Sequence, residues 1–142
     1  MQFPYTQRGP GVFRPIVPLR LYGPAAAVLT DGLLDPGADR VLLLPRLARV
    51  LGIDMKTLTT TKLMKSATGH SGLVKLTSLI VVLRRNSTEI CWQAEVGFPS
   101  FPVQRCYWGI KGFLEFFIAE FDGPNRVVTL TSGSNLPVAT AP

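Results

Sequence analysis

The chain has 142 residues, 46% of them hydrophobic and 17% charged, with 13 Gly and 12 Pro. That length suits one domain with room for a real core, and so apolar and turn-rich a composition indicates a compact, mostly β protein and excludes a disordered chain. The formal net charge of +6 raises nucleic-acid binding, but the basic residues are scattered and only Arg84 and Arg85 are adjacent, so they read as solvated charge and no nucleic-acid partner is expected.

Residues 1–13, with Pro4, Gly9, Pro10 and Gly11, read as a flexible N-terminal arm. They hold no signal-peptide-like apolar core, so a cytoplasmic protein is expected. Arg14 to Tyr22 alternates loosely, and Pro15 and Pro18 confine it to an edge strand or to strand ends. Gly23-Pro24 marks a turn. Ala25 to Leu29 suits part of a strand, and Leu33-Leu34 leads straight into Asp35-Pro36-Gly37-Ala38-Asp39. Val41 to Leu44 is a short apolar strand, so this region reads strand, tight turn, strand, with a carboxylate at the turn.

Pro45 to Gly52 predicts a helix. Proline suits the first helical position, glycine the residue past the end, and Leu47, Val50 and Leu51 share a face. The Thr-rich run Leu58 to Lys65 and the long apolar run Leu73 to Leu83 flank the small polar stretch Ser66 to Gly72, which predicts a hairpin. Glu89 to Phe98 alternates, with Ile90, Trp92, Ala94 and Val96 on one face. Val103 to Trp108 is strand-like, and Gly112 to Phe117 can form a short helix. Ile118 to Phe121 and Val127 to Thr131 read as strands around the turn Asp122-Gly123-Pro124-Asn125. Residues 14–131 therefore form the expected domain, and 132–142 the expected disordered tail.

Cys91 and Cys106 lie in apolar surroundings without Cys-x-x-Cys spacing and read as reduced, buried thiols. One histidine and two distant cysteines make no zinc set, so no metal or cofactor is expected. The longest strongly apolar run, Leu79 to Leu83, is too short to cross a bilayer, and no membrane association is expected. Trp92 and Trp108 read as core, and Phe113, Phe116, Phe117 and Phe121 as core or dimer contacts. Asp31 and Asp122 read as plain turn residues, and Glu115 and Glu120 as solvated.

On its own, Asp-Pro-Gly is an ordinary turn sequence. Its surroundings say more. The stretch GLLDPGADRVLLLPRLARVLGI (residues 32–53) resembles the retropepsin-like aspartic peptidase signature: an apolar pair, Asp, Thr or Ser, Gly, Ala, then an apolar strand and a short helix ending in Leu-Gly-Ile. CYWGIKGFL (106–114) resembles that family's apolar-apolar-Gly element. WQAEVGF and the ending FLEFFIAEFDGPNRVVTL are similar to its single-domain bacterial members.

The resemblance covers about residues 14 to 131 and implies an all-β, closed-barrel acid protease fold with one or two short helices. It implies an endopeptidase in which Asp35 activates water. Two-lobe aspartic peptidases carry two Asp turns. This chain shows one turn and no internal repeat, so the second carboxylate is expected from a second copy in a homodimer. By the same resemblance Gly37, Ala38 and Asp39 contact a peptide or protein substrate, and Thr68, Gly69, His70, Ser71 and Gly72 form a flap over it. His70 is not expected to be catalytic. Pro36, Trp108 and Gly109 support the Asp turn.

The motif departs from the family at Pro36, where Thr or Ser ties the two turns together across the dimer. It departs again at Ile110, where retroviral members carry an Arg that supports the aspartate equivalent to Asp39. A non-catalytic peptide-binding or dimerisation module of the same fold is therefore the competing expectation, with a basic nucleic-acid-binding domain a more distant one.

Overall fold

A computed structural model describes all 142 residues. The chain forms twelve strands, one α-helix and one 3₁₀ turn. Six strands make the barrel: β4 (Ile16–Tyr22), β5 (Ala27–Leu34), β6 (Val41–Leu42), β8 (Ser71–Arg85), β9 (Thr88–Pro99) and β10 (Cys106–Trp108). They run in the order β4, β5, β10, β6, β9, β8, and β8 returns to β4 at Tyr22↔Ile80 and Arg20↔Val82, closing the sheet. The architecture is all-β, as the composition indicates.

Closure explains how a proline-bearing strand sits inside a barrel. β8 pairs β4 only over Arg20 to Tyr22. Pro18 lies on the stretch that has β5 alone as a neighbour, where a missing N–H breaks no second ladder. The expectation of an edge strand thus holds for Ile16 to Leu19 and fails for Arg20 to Tyr22.

β8 has two duties. Its first residues pair β7 (Thr61–Lys65) in a hairpin that projects from the barrel, from Thr61↔Lys75 to Lys65↔Ser71. The remainder pairs β9 as far as the tight turn at Asn86 and Ser87. On β9, Trp92, Ala94 and Val96 point inward and are buried, as the alternation predicts.

The helix α1 (Arg46–Leu51) starts after Pro45 and ends on Gly52, whose φ of 77° is left-handed. Its buried residues are Leu47, Ala48 and Leu51; Val50, expected on that face, is 54% exposed. The face is turned so that a small alanine meets the barrel.

The N-terminal residues are not a flexible arm. β1 (Gln2–Pro4) pairs β12 (Val127–Ser132), which pairs β11 (Phe117–Asp122), and Phe3 is buried against Val128. β2 (Thr6–Gly9) and β3 (Val12–Arg14) form a small hairpin of their own. The disordered tail expected at 132–142 is also corrected, because Val138 bridges Trp92 and the Ala139 N–H donates to the Cys91 carbonyl at 3.0 Å. In both segments backbone pairing to an available strand edge compensates for a polar, proline-bearing sequence.

Asp31, read as a turn residue, lies within β5 and faces Arg8 at 3.8 Å. Asp122 does cap its turn: its carboxylate accepts the Asn125 backbone N–H at 2.9 Å and side-chain N–H at 2.8 Å, which hold it below the usual carboxylate range. Glu115, read as solvated, accepts the Gly112 N–H at 2.7 Å. Burial raises the Cys106 thiol above its ordinary value. No helix is long and apolar enough to cross a membrane.

Candidate active site

β5 ends at the buried Leu34 and delivers Asp35 to the rim of the barrel. β10 runs parallel to β5 with Trp108 opposite Leu34, and the Asp35 N–H donates to the Trp108 carbonyl at 3.2 Å. The chain then turns sharply. The Ala38 N–H donates to the Asp35 carbonyl at 3.0 Å, and the Gly37 N–H to the Asp35 Oδ1 at 2.9 Å. Asp35 thus caps its own turn, leaving Oδ2 uncommitted.

Pro36 occupies the second position of this four-residue turn, where proline is favoured because its fixed φ matches the turn and no N–H is required. Replacing the usual hydroxyl residue therefore does not unmake the local geometry. A Cβ on Gly37 would meet only Asp35 Oδ1, at 3.1 Å, so glycine keeps the carboxylate accessible.

Beneath the turn, Trp108 is fully buried and its Nε1–H donates to the Val17 carbonyl at 2.7 Å. Its ring fills the space a side chain at Gly32 would occupy. Gly109 passes so close to the Ala38 and Arg40 carbonyls that a Cβ would overlap them. The next residues latch on: the Ile110 N–H donates to the Ala38 carbonyl and the Lys111 N–H to the Asp39 carbonyl, both at 2.9 Å. We expect Gly109→Ala to destabilise the protein by about 1–3 kcal/mol, as overpacking against backbone does. A thermal unfolding scan, with proteolysis confined to the 35–41 segment as a second readout, checks this.

The Asp39 side chain is exposed and makes no hydrogen bond or ion pair, and Ile110 beside it is 42% exposed. The neighbouring Arg40 turns away to Glu95 at 2.7 Å.

The β7–β8 hairpin ends at residues 66–70. The Ser66 N–H donates to the His70 carbonyl at 2.6 Å, and Gly69 at φ 88° supplies the left-handed residue the tip requires. Ser66 Oγ and Thr68 Oγ1 are 2.9 Å apart, and Thr68 Oγ1 and His70 Nδ1 are 3.0 Å apart, so side chains brace the tip.

A cleft of about 460 Å³ lies between this tip and the Asp turn. Of the residues expected at a site, Asp35, Gly37, Ala38, Asp39, Thr68 and His70 line it. Pro36, Gly69, Ser71 and Gly72 do not; Ser71 and Gly72 pair with Lys65 and Met64 in the hairpin. Trp108 and Gly109 lie outside the cleft, under the turn.

The apolar wall of the cleft escaped sequence reading. It is made by Leu42, Met64, Phe101, Val103 and Tyr107, drawn from separate elements. Leu42, Met64, Val103 and Tyr107 were legible only as members of separate strand-like runs. No three His, Cys, Asp or Glu side chains gather as metal ligands.

No protein-family model matches the chain. No curated protein matches it either. Among solved structures, it is similar to the crystal structure of a retropepsin-like aspartic protease from Rickettsia conorii, at 18% identity and a TM-score of 0.65, with 90% of this chain and 95% of that chain covered. The fold is retropepsin-like. In this retropepsin-like barrel the Asp35-Pro36-Gly37 turn stands at the end of β5, with Asp35 and Gly37 lining the cleft.

Proposed function

We propose that this chain is an aspartic endopeptidase, working as a homodimer in which each copy contributes Asp35. One observation carries the reading. In a retropepsin-like barrel, the Asp35–Ala38 turn presents the Asp35 carboxylate to a cleft roofed by a hairpin tip.

The chemistry follows from that half-site. Hydrolysing an amide without metal or covalent intermediate needs a base to take a proton from water and an acid to protonate the carbonyl oxygen. Two carboxylates at hydrogen-bonding distance hold one proton between them, because like charges that close do not both ionise readily. The ionised partner takes the water proton while the protonated one donates to the carbonyl oxygen. The proton taken from water then passes to the leaving nitrogen as the C–N bond breaks, and the tetrahedral diol returns a hydroxyl proton to the carboxylate that had donated to the carbonyl oxygen, so the pair again holds one proton. Asp39 and the Ala38–Asp39 backbone hold the peptide main chain, while Thr68 and His70 close over it and exclude water.

The experiment is cleavage of a mixed peptide library at mildly acid pH by the native chain and by Asp35→Asn, with sedimentation to read the dimer. Equal activity in both, or none in either, defeats the reading.

Pro36 favours a second reading, a peptide-binding or dimerisation module with lost turnover. The proline removes the hydroxyl through which the two turns would bond, at about 0.5–1.5 kcal/mol per bond. Pro36→Thr also surrenders about 0.4–1 kcal/mol of chain rigidity. That loss acts on folding and not on the pairing of folded chains, so two regained bonds, about 1–3 kcal/mol together, should tighten the dimer several-fold or more. A rise in cleavage from near zero identifies a weakened enzyme. A tighter dimer that binds peptides without cleaving them identifies the module.

A further inference from the structure

We propose that Arg8 and Arg105, with Gln104, form a carboxylate pocket that reads an acidic residue of the peptide held in the cleft. The proposal rests on the peptide-binding part of the reading above and adds a substrate class to it.

A second hollow, of about 170 Å³, lies beside the cleft and is lined by Arg8, Asp31, Gly32, Gln104 and Arg105, among others. Gln104 lines both spaces, so the two are neighbours on either side of one residue. The charge is unbalanced. Arg8 has only Asp31, at 3.8 Å and well exposed, a pairing worth little. Arg105 is half-buried and takes part in none of the chain's four ion pairs. Two arginines and one aspartate line the hollow. A guanidinium fork matches a planar carboxylate in two parallel hydrogen bonds, and partial burial strengthens them.

The spacing suits a peptide. Arg105 precedes Cys106, which pairs Gly32, so the pocket sits alongside Asp31 to Leu33 on β5. Asp35 is two to four residues further along. At about 3.3 Å per residue that is roughly 7–13 Å, the reach of an extended peptide about two to four residues from the bond being cut. The hollow is lined mainly by polar groups, while the cleft wall nearest Asp35 is apolar. A peptide with large apolar residues at the centre and one Asp or Glu toward its end fits both.

The test uses labelled, end-capped octapeptides with a central Leu-Phe pair, alanine elsewhere, and one Glu or Gln walked through the other positions. Binding is read on the Asp35→Asn protein, so that turnover plays no part. At one position Glu should bind about tenfold tighter than Gln. Arg105→Gln should erase that difference, with the melting temperature as a folding control. Asp31→Asn, which removes the competing carboxylate, should enlarge it, a gain that misfolding does not mimic. No position favouring Glu, or a preference surviving in Arg105→Gln, overturns the proposal. So does a pocket that takes free anions alone: inorganic phosphate raising the melting temperature of the native chain but not of Arg105→Gln, with no Glu position preferred. If the native chain cleaves the peptides without regard to Glu, the pocket fails and the peptidase reading stands. If Glu is preferred in binding but nothing is cleaved, the pocket stands and the peptidase reading fails.

Discussion

Asp35→Asn is expected to lower peptide hydrolysis by at least about 10²–10⁴-fold, the range a positioned acid–base group supplies, while leaving the fold in place. The substitution is nearly isosteric. An amide oxygen still accepts the Gly37 N–H that closes the turn at 2.9 Å, and the Asp35 N–H still reaches the Trp108 carbonyl. What disappears is the capacity to hold a negative charge or a shared proton. Mixing native and Asp35→Asn chains makes the test sharper. If the site needs a carboxylate from each copy, only native–native pairs act, and an equal mixture retains about a quarter of the activity by random pairing in a two-fold dimer. Activity falling to about a half instead would mean that each chain works alone, and the shared-site account would be lost.

Trp108→Ala is expected to be the most damaging single core change, at about 3–5 kcal/mol. Trp108 is fully exposed to none of the solvent, stacks on Phe113 with ring centroids 6.3 Å apart, and fills the space over Gly32. Removing it leaves a cavity and strips the Val17 carbonyl of its donor. For a chain of this size each kcal/mol is worth about 3–4 °C, so the melting temperature should fall by about 10–20 °C. Trp108→Phe keeps most of the volume and loses chiefly the hydrogen bond, so it should cost much less. The Asp35 N–H donates to the Trp108 backbone carbonyl, which alanine keeps, so activity measured well below the melting transition should fall only as far as the cavity lets β10 shift beneath the turn. A Trp108→Ala protein with unchanged melting temperature would remove the case that this ring supports the Asp turn.

Much of the fold was legible locally. Pro45 and Gly52 bracket the helix, the Asp122–Asn125 turn ends a hairpin, and the alternation from Ile90 to Val96 gives β9 its inward face. The Asp turn was legible too, because Leu33-Leu34 and Val41 to Leu44 flank it and force a reversal. The misses have common causes. Val50 and Ala48 differ only by a rotation of the helix, which the barrel surface decides. Residues 1–13 and 132–142 are too polar to announce strands, and they pair because β12 and β9 offer them edges. Leu42, Met64, Phe101, Val103 and Tyr107 share a cleft although no periodicity links them.

The amino-acid sequence by itself determined where the chain bends, which residues seek the interior, and that it carries one aspartate on a proline–glycine turn. Those are properties of neighbours along the chain, set by φ restriction, side-chain volume and apolar periodicity. Trp108 and Gly109 beneath that turn, and the hairpin tip over it, were reached from the sequence only through family resemblance; the tertiary structure supplied their contacts and alone brought Arg8 and Arg105 to one hollow beside it. Each of those depends on the closure of β8 onto β4 and the parallel alignment of β10 with β5, contacts between strands far apart in sequence that no local pattern encodes.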